Sequence, residues 1–261
     1  MFSQADAYER FMGRWSRLLA PALVTFSEIR DGDVVLDVGS GTGSLSFAVR
    51  DTMKTARITG VDPSSDYVAH ATKKNTDARV HFEVGVAQQL PLSDATFHKT
   101  LSLLVINFVP DAASAVREWI RVTKPGGIVA AAVWDYGEGM QMLRAFWDEA
   151  TAFDPVITPR DEARMPLCRR GELAALFGQE GLKNVEETSL TVALRFASFD
   201  DYWAPFLLGQ GPAGAYVAKL PRDRQIALGE RLRKRLLGST PDHPIEMQAR
   251  AWAAKGTAPQ R

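Results

Sequence analysis

The residues with the clearest chemical potential gather in one stretch, Val34-Val35-Leu36-Asp37-Val38-Gly39-Ser40-Gly41-Thr42-Gly43. Its first half is a short run rich in β-branched residues, which favours a strand buried on both faces. Three glycines at alternate positions then expose bare backbone, and Leu45, Ala48, Val49 and Met53 follow at helical spacing. Strand, glycine turn and helix make the opening of a βαβ unit, where a nucleotide-like ligand can approach main-chain N–H groups. The dinucleotide pattern G-x-G-x-x-G would need a last glycine where this chain has Ser44. Asp37 also stands two residues before the first glycine. A carboxylate there repels a pyrophosphate and suits an ammonium group. A second β-like run, Arg57-Ile58-Thr59-Gly60-Val61-Asp62, ends in an acid about 20 residues beyond the turn, the distance at which a carboxylate reaches ribose hydroxyls. The expected ligand is therefore a nucleoside that carries an ammonium and no phosphate.

S-adenosylmethionine, with its α-amine and positive sulfonium, has that chemistry. The Asp-x-Gly-x-Gly-x-Gly pattern resembles motif I of the class I S-adenosylmethionine-dependent methyltransferases. Two further stretches carry the likeness. Leu90-Pro91-Leu92-Ser93-Asp94-Ala95-Thr96-Phe97 precedes a fourth strand, and Lys124-Pro125-Gly126-Gly127 separates a helix from an apolar strand. With Asp62 these landmarks follow in order over residues 33–135, and the chain resembles the UbiE-like, type 11 subgroup of that family. The resemblance implies an α/β fold: a Rossmann-like, seven-stranded, mostly parallel sheet with helices on both faces, its last strand antiparallel, and S-adenosyl-L-methionine as cofactor.

The same resemblance implies a set of binding residues. Asp37, Gly39, Ser40, Gly41, Thr42 and Gly43 would hold the cofactor at motif I, and Asp62 and Pro63 would meet the ribose. The family often has Asp on adenine where this chain has Val86, so adenine recognition is expected from backbone at Val86 and Ala87, or from Gln88. Leu104, at the end of the fourth strand, would lie beside the methyl group. In the leader, Tyr8, Arg14 and Trp15 resemble residues that close over the cofactor, Arg14 on its carboxylate and the aromatic rings against the sulfonium. The alternative for these rings is core packing. His98 replaces a usual Asp, and His70, His81 and His243 lie in isolation. No catalytic base is evident.

Elements that would position these residues follow from periodicity. A leader over residues 1–32 contains a helix spanning 5–26; residues 33–197 form the cofactor-binding core; residues 198–240 form a helical insert; residues 241–261 supply a last edge strand and tail. Within the core, Gln141–Phe153 reads as helix and Val185–Phe196 as strand; beyond the insert, Pro244–Ala254 reads as the strand that returns beside it. Trp134, Tyr136, Phe146, Trp147, Phe153, Trp203 and Phe206 would either line an apolar pocket or form the core of the insert.

Composition narrows the partners. Lysines and arginines balance acids at 31 each, which argues against extended nucleic-acid contact. The basic run Arg231–Arg235 reads as a solvated helix face. One cysteine, Cys168, cannot make an internal disulfide, and no metal cluster is evident. No signal peptide or membrane-length apolar run stands out, so a cytoplasmic location is expected. A small-molecule methyl acceptor is the favoured partner. A nicotinamide-linked oxidoreductase and a non-catalytic regulator that binds the same cofactor remain as alternatives.

Overall fold

The computed structural model describes residues 4–156 and 161–260. Seven strands form one sheet: β1 (Val34–Val38), β2 (Arg57–Asp62), β3 (Val80–Val84), β4 (Phe97–Leu103), β5 (Thr123–Trp134), β6 (Lys183–Phe196) and β7 (Ile245–Thr257), in the order β3-β2-β1-β4-β5-β7-β6. The first five are parallel, and β7 runs antiparallel to both β5 and β6. The long helix-containing connections of parallel pairs are right-handed, so the reversal of strand order after β1 sends the earlier and later helices to opposite faces. That reversal lies between β1 and β4, where ligands of open α/β sheets bind beyond the carboxyl ends.

The described helices are α1 (Gln4–Tyr8), α2 (Arg14–Phe26), α3 (Ser44–Thr52), α4 (Ser65–Lys74), α5 (Ala112–Val122), α6 (Gln141–Phe153), α7 (Glu172–Gln179), α8 (Phe199–Trp203), α9 (Gly211–Lys219) and α10 (Arg222–Leu237). Local signals explain their boundaries. The Ser64 and Asp111 side chains accept from Tyr67 N and Ser114 N and cap α4 and α5. The leader departs from one regular helix: a π-helical turn, Glu9–Gly13, joins α1 to α2. Such turns widen a helix locally and recur near functional sites.

Two differences from the sequence reading concern the sheet. The Lys124-Pro125-Gly126-Gly127 turn is not outside β5 but bulges from it. Phe97 pairs with Thr123 and Lys99 with Ile128, so a two-residue step on β4 faces five residues on β5. And the strand expected at the edge, β7, lies inside the sheet. Its Ala251, Ala253 and Ala254 side chains are buried between neighbours, while β6, with alternating exposure, forms the edge. No helix of the described residues is long and apolar enough to cross a membrane.

Candidate active site

At the carboxyl end of β1, chain direction is set by Gly39 and Gly41. Gly39 has φ +73, and a Cβ there would fall 2.5 Å from Val105 Cγ1, so only glycine fits. Gly41 has φ +52 with nothing within 4 Å of a built Cβ, leaving open space beside its main chain. These two residues with Asp37, Ser40, Thr42, Asp62, Tyr67, Leu103, Leu104 and Val105 line a crevice of ≈ 190 Å³.

Asp37 is 1 % exposed. Its Oδ2 accepts from Ser46 N (3.0 Å) and Ser46 Oγ (2.7 Å), tying β1 to the first turn of α3. Its Oδ1 is buried and has no hydrogen-bond partner. Burial raises the carboxyl to about 7, opposed by the Ser46 bonds and helped by the nearby Asp62 charge. An orphaned buried oxygen of this kind costs stability and calls for a donor from a ligand. An ammonium group satisfies it and restores the ionised form.

Asp62 is 7 % exposed and lies across the crevice. Each of its oxygens takes one main-chain N–H: Oδ2 from Gly41 and Oδ1 from Ser64, both at 2.9 Å. Carboxylate oxygens hold two lone pairs each, so capacity remains for a pair of ribose hydroxyls. Burial raises its pKa and these two bonds oppose the rise.

Val86, Ala87 and Gln88 border an adjoining cleft of ≈ 310 Å³ with Gly39, Pro63, Gly85, Val105 and Phe108. The Val86 side chain is 46 % exposed, which leaves Ala87 and the backbone as the enclosing surface. Leu104 adopts φ +64, an unusual left-handed conformation for a side-chain-bearing residue, and its N–H donates to Ala132 O at 2.7 Å. It borders both the Asp37 crevice and a third cavity of ≈ 110 Å³ lined by Tyr8, Phe11, Phe108, Trp134, Tyr136 and Glu162 among others. Tyr8, Leu104 and Phe108 are common to both, so the two spaces meet at these residues.

The leader residues separate. Tyr8 reaches the crevice: its hydroxyl pairs with Ser16 Oγ at 3.2 Å, its ring sits 5.7 Å from that of Tyr67, and burial pushes the phenol up to about 12. Arg14 and Trp15 do not line the crevice. Arg14 donates to Asp201 Oδ1 at 2.8 Å and to Asp201 O at 3.1 Å, with its guanidinium 4.2 Å from the Trp15 ring centroid. Trp15 is buried edge-on against Phe196. An acid of α8 takes the arginine, and the tryptophan serves as core. What ties the leader to the glycine loop is Glu9, unnoticed in the sequence, which accepts from the Thr42 hydroxyl and from Arg17. A Cβ at Gly13 would come within 3.0 Å of the Glu9 carboxyl, so the π turn and this glycine together make room for it.

Of the aromatic candidates, Trp134 and Tyr136 line the third cavity. Phe146 and Phe206 stack at 4.6 Å, with Trp147 edge-on to Phe146, as core beneath α9. His98 stands at the opposite end of the sheet, accepting from Val34 N and facing Lys124 Nζ, each at 2.9 Å. Among the described residues no group of three or more side chains is arranged to hold a metal.

The donor set around this crevice fits an amino-acid-bearing nucleoside, and the type 11 model described as "Methyltransferase domain" matches residues 36–131. Residues 36–131 form a class I S-adenosylmethionine-dependent methyltransferase domain. Over 116 residues the chain is 35% identical to the erythromycin 3''-O-methyltransferase of Saccharopolyspora erythraea, covering 43% of this chain and 38% of that one. The chain spans about half the length of the first curated relatives it matches. The fold is shared with phosphoethanolamine N-methyltransferase 2 of Haemonchus contortus in complex with S-adenosyl-L-methionine (TM-score 0.60, 20% identity, 98% of this chain and 57% of that one). It is shared as well with the cyclase SpnF (TM-score 0.57, 18% identity, 94% and 81%). A methyltransferase and a cyclase on one architecture illustrate that the fold alone leaves the reaction open.

Proposed function

We propose that this chain is an enzyme that transfers a methyl group from S-adenosylmethionine to a small molecule seated in the cavity beyond Leu104. The observation that carries this reading is the orphaned Asp37 Oδ1 beside the open Gly41 backbone. A pyrophosphate brought to the same place would meet a buried carboxylate, which disfavours a nicotinamide dinucleotide. Asp37 would take the ammonium, Asp62 the ribose hydroxyls, and the Ala87 region the adenine edge. Bound there, S-adenosylmethionine supplies a methyl group already activated for displacement by its sulfonium. The remaining work of the protein is to align the acceptor and exclude water, contributions that reach roughly 7–11 kcal/mol in well-oriented reactions. Tyr8, Leu104 and Phe108 form the common wall of cofactor and acceptor spaces and would set the line of approach. Incubation with methyl-labelled S-adenosylmethionine and fractionated metabolite extracts tests the proposal. Label is expected in a low-molecular-mass product. Tight cofactor binding without labelled product from any fraction would favour a non-catalytic regulator instead.

A further inference from the structure

The ≈ 110 Å³ cavity contains one carboxylate, Glu162, set among the rings of Tyr8, Phe11, Phe108, Trp134 and Tyr136. Glu162 is 7 % exposed, and its Oε2 accepts from Trp147 Nε1 at 2.8 Å. The basic side chain that faces it, Arg144, is committed elsewhere, donating to Asp161 Oδ1 at 2.6 Å. No described residue of the cavity lining is basic. A carboxylate kept in an apolar enclosure on one neutral hydrogen bond carries a large desolvation cost. Aromatic faces around it offer negative potential to a cation and nothing to an anion.

We infer that this cavity binds a compact amine as the methyl acceptor, with its ammonium on Glu162 and its carbon skeleton against the aromatic rings. The assignment rests on the methyltransferase reading and names the substrate class of that same site. It disfavours carboxylates and phosphate esters, which would meet Glu162 with no basic side chain among the described residues of the cavity lining. Before nitrogen can react, one ammonium N–H bond must break with its electron pair staying on nitrogen. Glu162 is placed to receive that proton and become the neutral acid. Burial, with Asp161 adding to it, raises Glu162 to about 7, which makes the neutral form accessible near neutral pH. The other titratable neighbours, Tyr8, Tyr136 and Cys168, are all raised by burial and stay uncharged in that range.

The test is binding of benzylamine and n-butylamine against benzyl alcohol and n-butanol, followed by the fluorescence of the full chain, in which Trp134 reports on the cavity. S-adenosylmethionine affinity is measured in parallel. Each amine is expected to bind at least about tenfold more tightly than its alcohol. Amine affinity should fall as pH drops below about 7, because Glu162 must then give up a proton to pair with the cation. Glu162→Gln should erase the amine preference and leave S-adenosylmethionine affinity unchanged. Should that variant fail to fold, the wild-type pH profile and amine-to-alcohol ratio decide alone. Equal affinity for amine and alcohol, or a preference that persists in folded Glu162→Gln, overturns the inference while bound S-adenosylmethionine leaves the donor reading standing. Selective amine binding without any S-adenosylmethionine binding overturns the donor reading and, with it, the role of the amine as methyl acceptor.

Discussion

Replacing Asp37 with asparagine keeps the shape of the side chain and one oxygen to accept from Ser46, but removes a buried charge. In the cofactor-free protein the Asp37 carboxyl is raised from its ordinary 3.8 to about 7. Between those values the folded chain binds a proton that the unfolded chain does not, so stability from this group is present at low pH and lost as pH rises toward 7. At 1.36 kcal/mol per pH unit the full loss is roughly 4 kcal/mol, of which roughly 3 accrues between about pH 5 and pH 8. Asp37→Asn should therefore gain on the wild type by roughly 3 kcal/mol over that interval, read from urea unfolding of the cofactor-free proteins at both ends. The same change turns the orphaned acceptor into a donor facing the ligand ammonium, and S-adenosylmethionine affinity should fall tenfold to a hundredfold. A stability difference that stays flat with pH, or a variant that binds as tightly as wild type, would refute the reasoning. Stability and binding moving in opposite directions is the signature of a group kept for function.

Three other outcomes follow from the same geometry. Asp62→Ala should weaken S-adenosylmethionine binding by about 1–3 kcal/mol in an equilibrium titration, through lost hydrogen bonds to ribose. Gly41→Ala should fold with a modest penalty for its positive φ, since no atom lies within 4 Å of the added methyl, yet lose cofactor binding because that methyl fills the crevice. A folded Gly41→Ala with wild-type affinity would contradict the placement. Arg14→Ala should leave cofactor affinity within about twofold and lower stability by about 1 kcal/mol, since its partly exposed ion pair with Asp201 ties the leader to α8. A large affinity loss there would return Arg14 to the cofactor.

What could be read in advance was local. Residues 34–53 combine a β-branched run, a glycine turn and a helical stripe within 20 residues, and the Gln141–Phe153 helix repeats its apolar positions without interruption. Such patterns depend on near neighbours and survive folding. Arg14 could not be placed this way, because its partner Asp201 is 187 residues distant. The interior position of β7 has the same origin: pairing of Ala251 with both Trp134 and Leu190 is decided by contacts no window contains. Glu162 gave no signal at all. It is one of three acids in a proline-broken segment, with Asp154 and Asp161, and only the fold brings it to Trp147 and the cavity.

The central claim is that the Asp37-led loop holds an ammonium-bearing nucleoside and not a dinucleotide. Calorimetric titration of the full chain at neutral pH with S-adenosylmethionine, S-adenosylhomocysteine and NAD tests it most directly. The first two should bind at one site per chain, with Asp37→Asn weakening both and NAD giving no heat of binding. Saturable NAD binding that excludes S-adenosylmethionine would contradict the account.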